Sequence, residues 1–288
     1  MSSPSLPPSV TSTSRSLLRS TDRTLTRLTS ILSTPIGVDK FLLTIYYTLK
    51  LLYPQITRLR SLRFRRFISS FISKARAGLL PGETLITVLE QRDDDFLSEL
   101  DTGMRNAAAL IGDVRIFLRL WALLGIYGSV KRVLTNPPKD QVTKWIVMGQ
   151  LGSIGVYQVL ENVAYLAGKG ILRNEWVAPE KQKRMWLVGC RFWGVYVALE
   201  AARLVREWQI KDLGVQKVQE KTEGEGAVGV QRQQEVQAWR RAWWANAAYS
   251  PMTVHYSVDG GILSDDQLGL LGVIIGFIGF GHLWKQSA

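Results

Sequence analysis

Two long apolar blocks, residues 114–133 and 142–166, dominate the hydrophobic pattern, and Asn136-Pro137-Pro138-Lys139-Asp140 separates them. Adjacent prolines cannot continue a helix, so the chain turns there. Neither block alternates with period two, and both exceed the length of a strand, which predicts a helical hairpin over residues 113–171 at or in a membrane. The rest of the pattern predicts helices too. An apolar helix runs from Phe41 to Leu52, capped by Asp39 and ended at Tyr53-Pro54. A further apolar helix covers 184–208, and the fold class is all-α: a helical membrane protein.

Two stretches are amphipathic. Placed at about 100° per residue, Phe64, Phe67, Ile68, Phe71 and Ile72 share one face of residues 63–77. Arg63, Arg65, Arg66, Lys74 and Arg76 occupy the other face. A helix packed on a protein neighbour has the same stripe; phenylalanines opposed by cations also suit the headgroup region of anionic phospholipids, where each base contributes roughly 1 kcal/mol. In residues 105–124, Val114, Phe117, Leu118 and Trp121 form a broader apolar side. Arg115 and Arg119 lie opposite, as expected contacts for anionic lipid.

Two stretches are long enough to span a bilayer. Residues 145–166 carry small residues for close helix approach before reaching Glu161-Asn162. Residues 268–284, LGLLGVIIGFIGFGHLW, are bracketed by Asp265-Asp266 and Lys285 and form the best single transmembrane segment. At ~1.5 Å per residue they reach ~25 Å, close to a ~30 Å hydrocarbon core. Gly272 and Gly276 make a GxxxG pair, which favours self-association through this helix, though glycines are also simply common in membrane helices.

Charge changes the picture at the N-terminus. The net charge is +12, and residues 1–76 hold 13 Lys/Arg against 2 Asp/Glu, so nearly all of the excess lies there. Residues 1–35 are rich in Ser, Thr and Arg and read as a disordered tail with an inducible helix at 17–32, or as a mitochondrial presequence. Asp93-Asp94-Asp95 reads as a solvated acidic surface. Residues 209–237 read as a flexible polar loop, and 238–288 as an interfacial segment marked by Trp239, Trp243 and Trp244, followed by the last span.

Candidate chemistry is sparse. Cys190 is the only cysteine, and His255 and His282 are far apart, which excludes a disulfide framework and a local metal motif. No phosphate-binding loop, dinucleotide fingerprint or nucleophile motif occurs, so no enzyme, cofactor or metal is expected. Nucleic acid is disfavoured because the aromatics lie opposite the cations instead of among them.

Several strings together resemble the peroxin-11 family, in a fungal-type member: FLLTIYYTLKLL from Phe41, VRIFLRLWALL with Arg115 and Arg119, and VLENVAYLAGKGIL with Glu161, Asn162, Tyr165, Gly168 and Gly170. The resemblance extends by pattern over about 39–285, and residues 36–208 would be the family's helical membrane region. It implies an integral peroxisomal membrane protein that elongates the organelle before fission. It also implies an amphipathic helix inserting into one leaflet, at 105–124 by position, homo-oligomerisation, and links to a dynamin-related GTPase and a fission adaptor. The alternative is a peroxisomal or mitochondrial channel or transporter, with Arg115, Arg119, Glu161, Arg191, Glu200 and Arg203 along a polar interhelical pathway.

Overall fold

The computed structural model describes residues 8–80, 84, 86–88, 96–173, 175–211 and 227–287. Among them the chain is all-helical: α1 (Pro8–Leu32), α2 (Pro35–Gly78), α3 (Phe96–Leu118), a single 3-10 turn (Arg119–Trp121), α4 (Ala122–Thr135), α5 (Gln141–Gly168), α6 (Pro179–Lys211), α7 (Ala227–Ser257) and α8 (Asp265–Gln286). The acidic run Asp93–Asp95 and most of the polar loop, residues 212–226, lie outside the described residues. The stretch read as a disordered tail is helical over Pro8–Leu32, and residues 227–237 of the expected loop belong to α7.

The chain bends by 111° between α1 and α2. Thr34, not Asp39, caps α2: its hydroxyl accepts the Gly37 N–H at 3.1 Å, and Pro35 opens the helix where its missing N–H costs nothing. Gly37 is required here, since any Cβ would overlap the Ile31 carbonyl.

α2 does not stop at Tyr53-Pro54 but continues to Gly78 with Pro54 inside it. An interior proline costs roughly 3 kcal/mol. Contacts on both sides of it offset that cost. Before the proline, Lys50 pairs with Asp265 at 3.3 Å; after it, Gln55 and Arg58 bind Asp266. Thr57 and Arg60 then reach the buried Asp101 of α3, at 3.1 and 3.7 Å. The two helices expected from sequence are therefore one.

α8 runs antiparallel along α2, and four glycines make the approach possible. Gly269 faces Leu51, Gly272 faces Tyr47, Gly276 faces Thr44 and Gly279 faces Lys40. Leu43 and Tyr47 of α2, Ala248 and Met252 of α7, and Leu268 and Ile275 of α8 form the buried core. Gly272 and Gly276, expected to serve self-association, are thus used inside the chain. The reason is steric: the ring of Tyr47 occupies the groove that a second copy would need.

α8 is the one described helix that is by itself long and apolar enough to cross a membrane. The expected span at 145–166 falls within α5 and does not reach that threshold, because Gln150, Ser153, Gln158 and Glu161 interrupt it, all buried against neighbours. Ser153 donates to the Phe192 carbonyl at 2.6 Å and Gln150 to Glu200 at 2.8 Å, joining α5 to α6. α7 then packs on α6 and α8. Its tryptophans are only partly interfacial: Trp239 donates to the Leu204 carbonyl at 2.9 Å and stacks on Trp243 at 5.5 Å, while Trp244 is exposed. A buried indole N–H needs a partner, and the Leu204 carbonyl of α6 provides one.

The Pro-Pro turn is as expected and ends in a cap. Asp140 accepts the Thr143 N–H at 2.9 Å and is gripped by Arg206 of α6 at 2.7 Å. The Arg206 guanidinium and both Thr143 donors hold its carboxyl well below the usual carboxylate range.

Two outcomes are expected. Gly272→Ala lowers the thermal stability of the detergent-solubilised protein by roughly 1–3 kcal/mol through overpacking, whereas Gly281→Ala, with open space around it, leaves it unchanged or slightly raised. Asp140→Asn destabilises at neutral pH, because a depressed carboxylate stabilises the fold above its unfolded pKa. The gap to the native chain closes as pH falls below about 4, read from thermal midpoints across a pH series.

Candidate functional site

The hairpin starts where α3 leaves α2. Arg115 and Arg119 lie one turn apart, and both point into the protein. Arg115 Nε donates to Asp39 of α2 at 3.1 Å, and Arg119 Nη2 donates to Glu161 of α5 at 2.7 Å. Asp39, read from the sequence as a cap, is the partner of Arg115. The expectation that the two arginines contact anionic lipid is therefore corrected: a charge beside an apolar helix bundle is held by the nearest carboxylate that burial makes available.

Glu161 is buried, 2% exposed, and its oxygens also accept from Tyr157 at 2.5 Å and Gln158 at 3.2 Å. Its neighbour Asn162 donates to the Leu120 carbonyl at 3.2 Å and accepts from Gln158 at 2.7 Å. That draws the Leu120 carbonyl toward α5, at the point where α3 tightens into the 3-10 turn, so residues 105–124 are not one continuous α-helix. Further along the same string, Tyr165 is buried under Lys169, which pairs with Asp113 at 2.6 Å. Gly168 leaves room for Gln182, which donates to the Ala164 carbonyl at 3.0 Å. Gly170 has φ +71°, the left-handed conformation that ends α5 and that other residues rarely adopt. The Glu161–Gly170 string is thus a fastening that holds α5 to α3, the 3-10 turn and α6.

With the arginines turned inward, the apolar side faces out. Val114 is 36% exposed, Phe117 48%, Leu118 43% and Trp121 55%, with Phe117 and Trp121 in edge-to-face contact at 5.3 Å. α4 continues the surface: it has no buried residue, and Leu124, Tyr127 and Leu134 are exposed. An apolar surface of this extent marks a contact with lipid or protein.

The end of α2 forms a second element. Arg63, Arg65, Arg66, Lys74 and Arg76 are exposed, as are Phe67 and Ile72, while Phe64, Ile68 and Phe71 are half-buried. The rings of Phe67 and Phe71 lie 6.4 Å apart along the helix. Both faces of the predicted amphipathic segment are present, with the cations free to meet solvent.

Behind the hairpin lies a cavity of about 450 Å³. Asp39, Arg115, Arg119 and Glu161 line it, together with Tyr157 and Trp193 and further aromatic side chains of α2, α6 and α7. Arg191, Glu200 and Arg203 do not. Arg191 reaches the Ser257 carbonyl, and Arg203 binds Glu200 and Glu207, so the six charges considered for a pathway fall into separate groups. Among the described residues there is no His/Cys/Asp/Glu cluster that could hold a metal.

A model of the family Peroxisomal biogenesis factor 11 (PEX11) matches residues 84–284, which takes in α3 through most of α8. The chain belongs to the PEX11 family. Comparison with individual curated proteins and with solved structures finds no match. Membership makes this a peroxisomal biogenesis and proliferation factor. The PEX11 match contains the hairpin and its Glu161–Gly170 fastening, while α1, all of α2 and the Phe41–Leu52 string precede it. The basic arm of α2 accordingly lies outside the matched PEX11 region, although α2 packs directly on α8 within it.

Glu161→Ala in this PEX11 protein strands Arg119, which keeps 35% of its side chain accessible. The expected cost is roughly 2–4 kcal/mol, somewhat below that of a fully enclosed pair. Asp113→Ala, which opens the solvent-screened pair with Lys169, is expected to cost far less. Chemical denaturation of the two variants in the same detergent checks the difference.

Proposed function

We propose that this PEX11-family protein is integral in the peroxisomal membrane through α8 and elongates that membrane by wedging apolar helix surface into one leaflet. The observation that carries the reading is the orientation of the hairpin: Arg115 and Arg119 are paired inside, and Phe117, Leu118, Trp121, Leu124 and Tyr127 are presented outside. A water-facing helix has the reverse arrangement. An apolar face inserted ~5–10 Å deep expands its own leaflet relative to the other and favours curvature.

The α2 arm supplies the complementary half of the mechanism. Its five cations attract anionic phospholipid at roughly 1 kcal/mol each, and Phe67 and Ile72 anchor it. The exposed stripe Leu270, Ile274 and Phe277 on α8 faces lipid. Because Gly272 and Gly276 are occupied by α2, self-association falls to the hairpin's outer surface. Engagement of a dynamin-related GTPase and a fission adaptor is proposed from the family resemblance alone.

Reconstitution of the full chain into anionic liposomes, viewed by electron microscopy, tests the proposal. The native protein is expected to draw tubules. Phe117→Asp with Trp121→Asp abolishes them while leaving α8 inserted. Replacing Arg63, Arg65, Arg66, Lys74 and Arg76 by Gln weakens recruitment most at low salt, as screening already removes the attraction at high salt. Tubules of undiminished number from the Asp double variant would sink the wedge reading.

A further inference from the structure

α1 belongs neither to the hairpin nor to the α2 arm, yet it is sharply amphipathic. At about 100° per residue, Leu17, Leu25, Leu28, Ile31 and Leu32 fall within an arc of roughly 120°. Arg19 and Arg23 lie across the helix from that stripe, Arg27 flanks it, and Asp22 is the only acid in the helix. The described residues cover only part of the stripe. Ile31 is buried and Leu28 half-buried, whereas Leu17 is 63% exposed, Leu25 57% and Leu32 36%. Exposed leucines aligned on one side of a helix mark a contact surface.

Placement and charge decide what meets it. Gly279 of α8 faces Lys40 and Gly269 faces Leu51, so the start of α2 sits at the C-terminal end of α8, and α1 precedes it there. The 111° bend sets α1 nearly crosswise to the α2–α8 pair. Arg27 lies over the Trp284 ring, 5.6 Å from its centroid, and tryptophan at the end of a membrane-crossing helix marks the headgroup level. With α8 across the bilayer, α1 runs along the surface at that level. Asp39, which holds Arg115, is about one turn into α2, so the root of the hairpin is at the same end. A second copy of α1 would set like charge beside like charge, whereas an anionic leaflet offers the opposite sign.

We infer that α1 is an in-plane membrane helix, whose Leu17, Leu25 and Leu32 enter the anionic leaflet at the C-terminal end of α8 while Arg19, Arg23 and Arg27 stay in its headgroup layer. The inference rests on α8 lying in the membrane and is independent of whether the hairpin acts as a wedge. α1 holds the chain against the leaflet nearest the root of the hairpin, by apolar burial and by attraction to lipid charge together.

The test uses the full chain in vesicles of phosphatidylcholine and phosphatidylserine, with an NBD fluorophore on Leu25→Cys or on Thr26→Cys, which points away from the stripe. Burial pushes the Cys190 thiol up to about 11, so labelling at neutral pH goes to the introduced cysteine. Nitroxide-labelled lipid is expected to quench the Leu25 probe roughly threefold more than the Thr26 probe. Omitting phosphatidylserine, or replacing Arg19 and Arg23 by Gln, lowers quenching of the Leu25 probe roughly twofold at low salt. Leu25, Thr26, Arg19 and Arg23 are all exposed, so these variants leave the fold in place. Equal quenching of the two probes, quenching that neither charge change alters, or a blue-shifted but unquenched Leu25 probe, as a second copy over the stripe would give, overturns the assignment. Flotation with the vesicles after a carbonate wash separates the two claims. A chain that floats with its Leu25 probe unquenched removes α1 alone from the membrane, and a chain stripped from the vesicles removes α8 as well.

Discussion

A charged side chain at the edge of an apolar bundle has few tolerable environments, and the pairing of Arg119 with Glu161 shows the consequence. Glu161 is almost wholly buried, so it needs a cation or several donors; it has both, from Arg119, Tyr157 and Gln158. Once Arg119 turns toward α5 and Arg115 toward Asp39, the helix between them can rotate no further. The opposite side, Phe117 to Trp121, is then left outward. The ion pairs fix orientation, and orientation determines which surface a membrane can meet.

A second constraint acts on the opposite side of the molecule. α8 lies against α2 only because Gly269, Gly272, Gly276 and Gly279 present no side chain to Leu51, Tyr47, Thr44 and Lys40. Close backbone approach brings Asp265 and Asp266 to Lys50, Gln55 and Arg58, and those contacts carry α2 straight through Pro54. The same packing therefore forms the core, supports the one described helix long and apolar enough to cross a membrane, and projects the basic arm. Glycines that in isolation suggest contact between copies here join two helices of one chain.

These features give the PEX11 family assignment a physical content. The string from Glu161 to Gly170 has no catalytic geometry. Its carboxylate, amide, tyrosine and glycines each make one specific fastening between helices. On the proposed wedge mechanism the inserted surface needs a stiff base behind it, since a hinge there would let the wedge be expelled instead of deforming the leaflet. On that proposal the fastening supplies the stiffness.

Much of this was legible in the residues. Period 3.6 and the Pro137-Pro138 break gave the helices and the hairpin turn, because helix periodicity and proline's missing N–H are local properties. The long apolar helix at the C-terminal end and the membership suggested by the Glu161–Gly170 string were also readable. What the sequence alone left open is which groups meet across distance. Whether Arg115 and Arg119 face lipid or carboxylates, whether Pro54 ends a helix, and whether Gly272 and Gly276 pair with a second copy all turn on partners tens or hundreds of positions away. Those choices belong to the tertiary structure, because burial sets the cost of each charge, proline and glycine, and only packing determines what is buried.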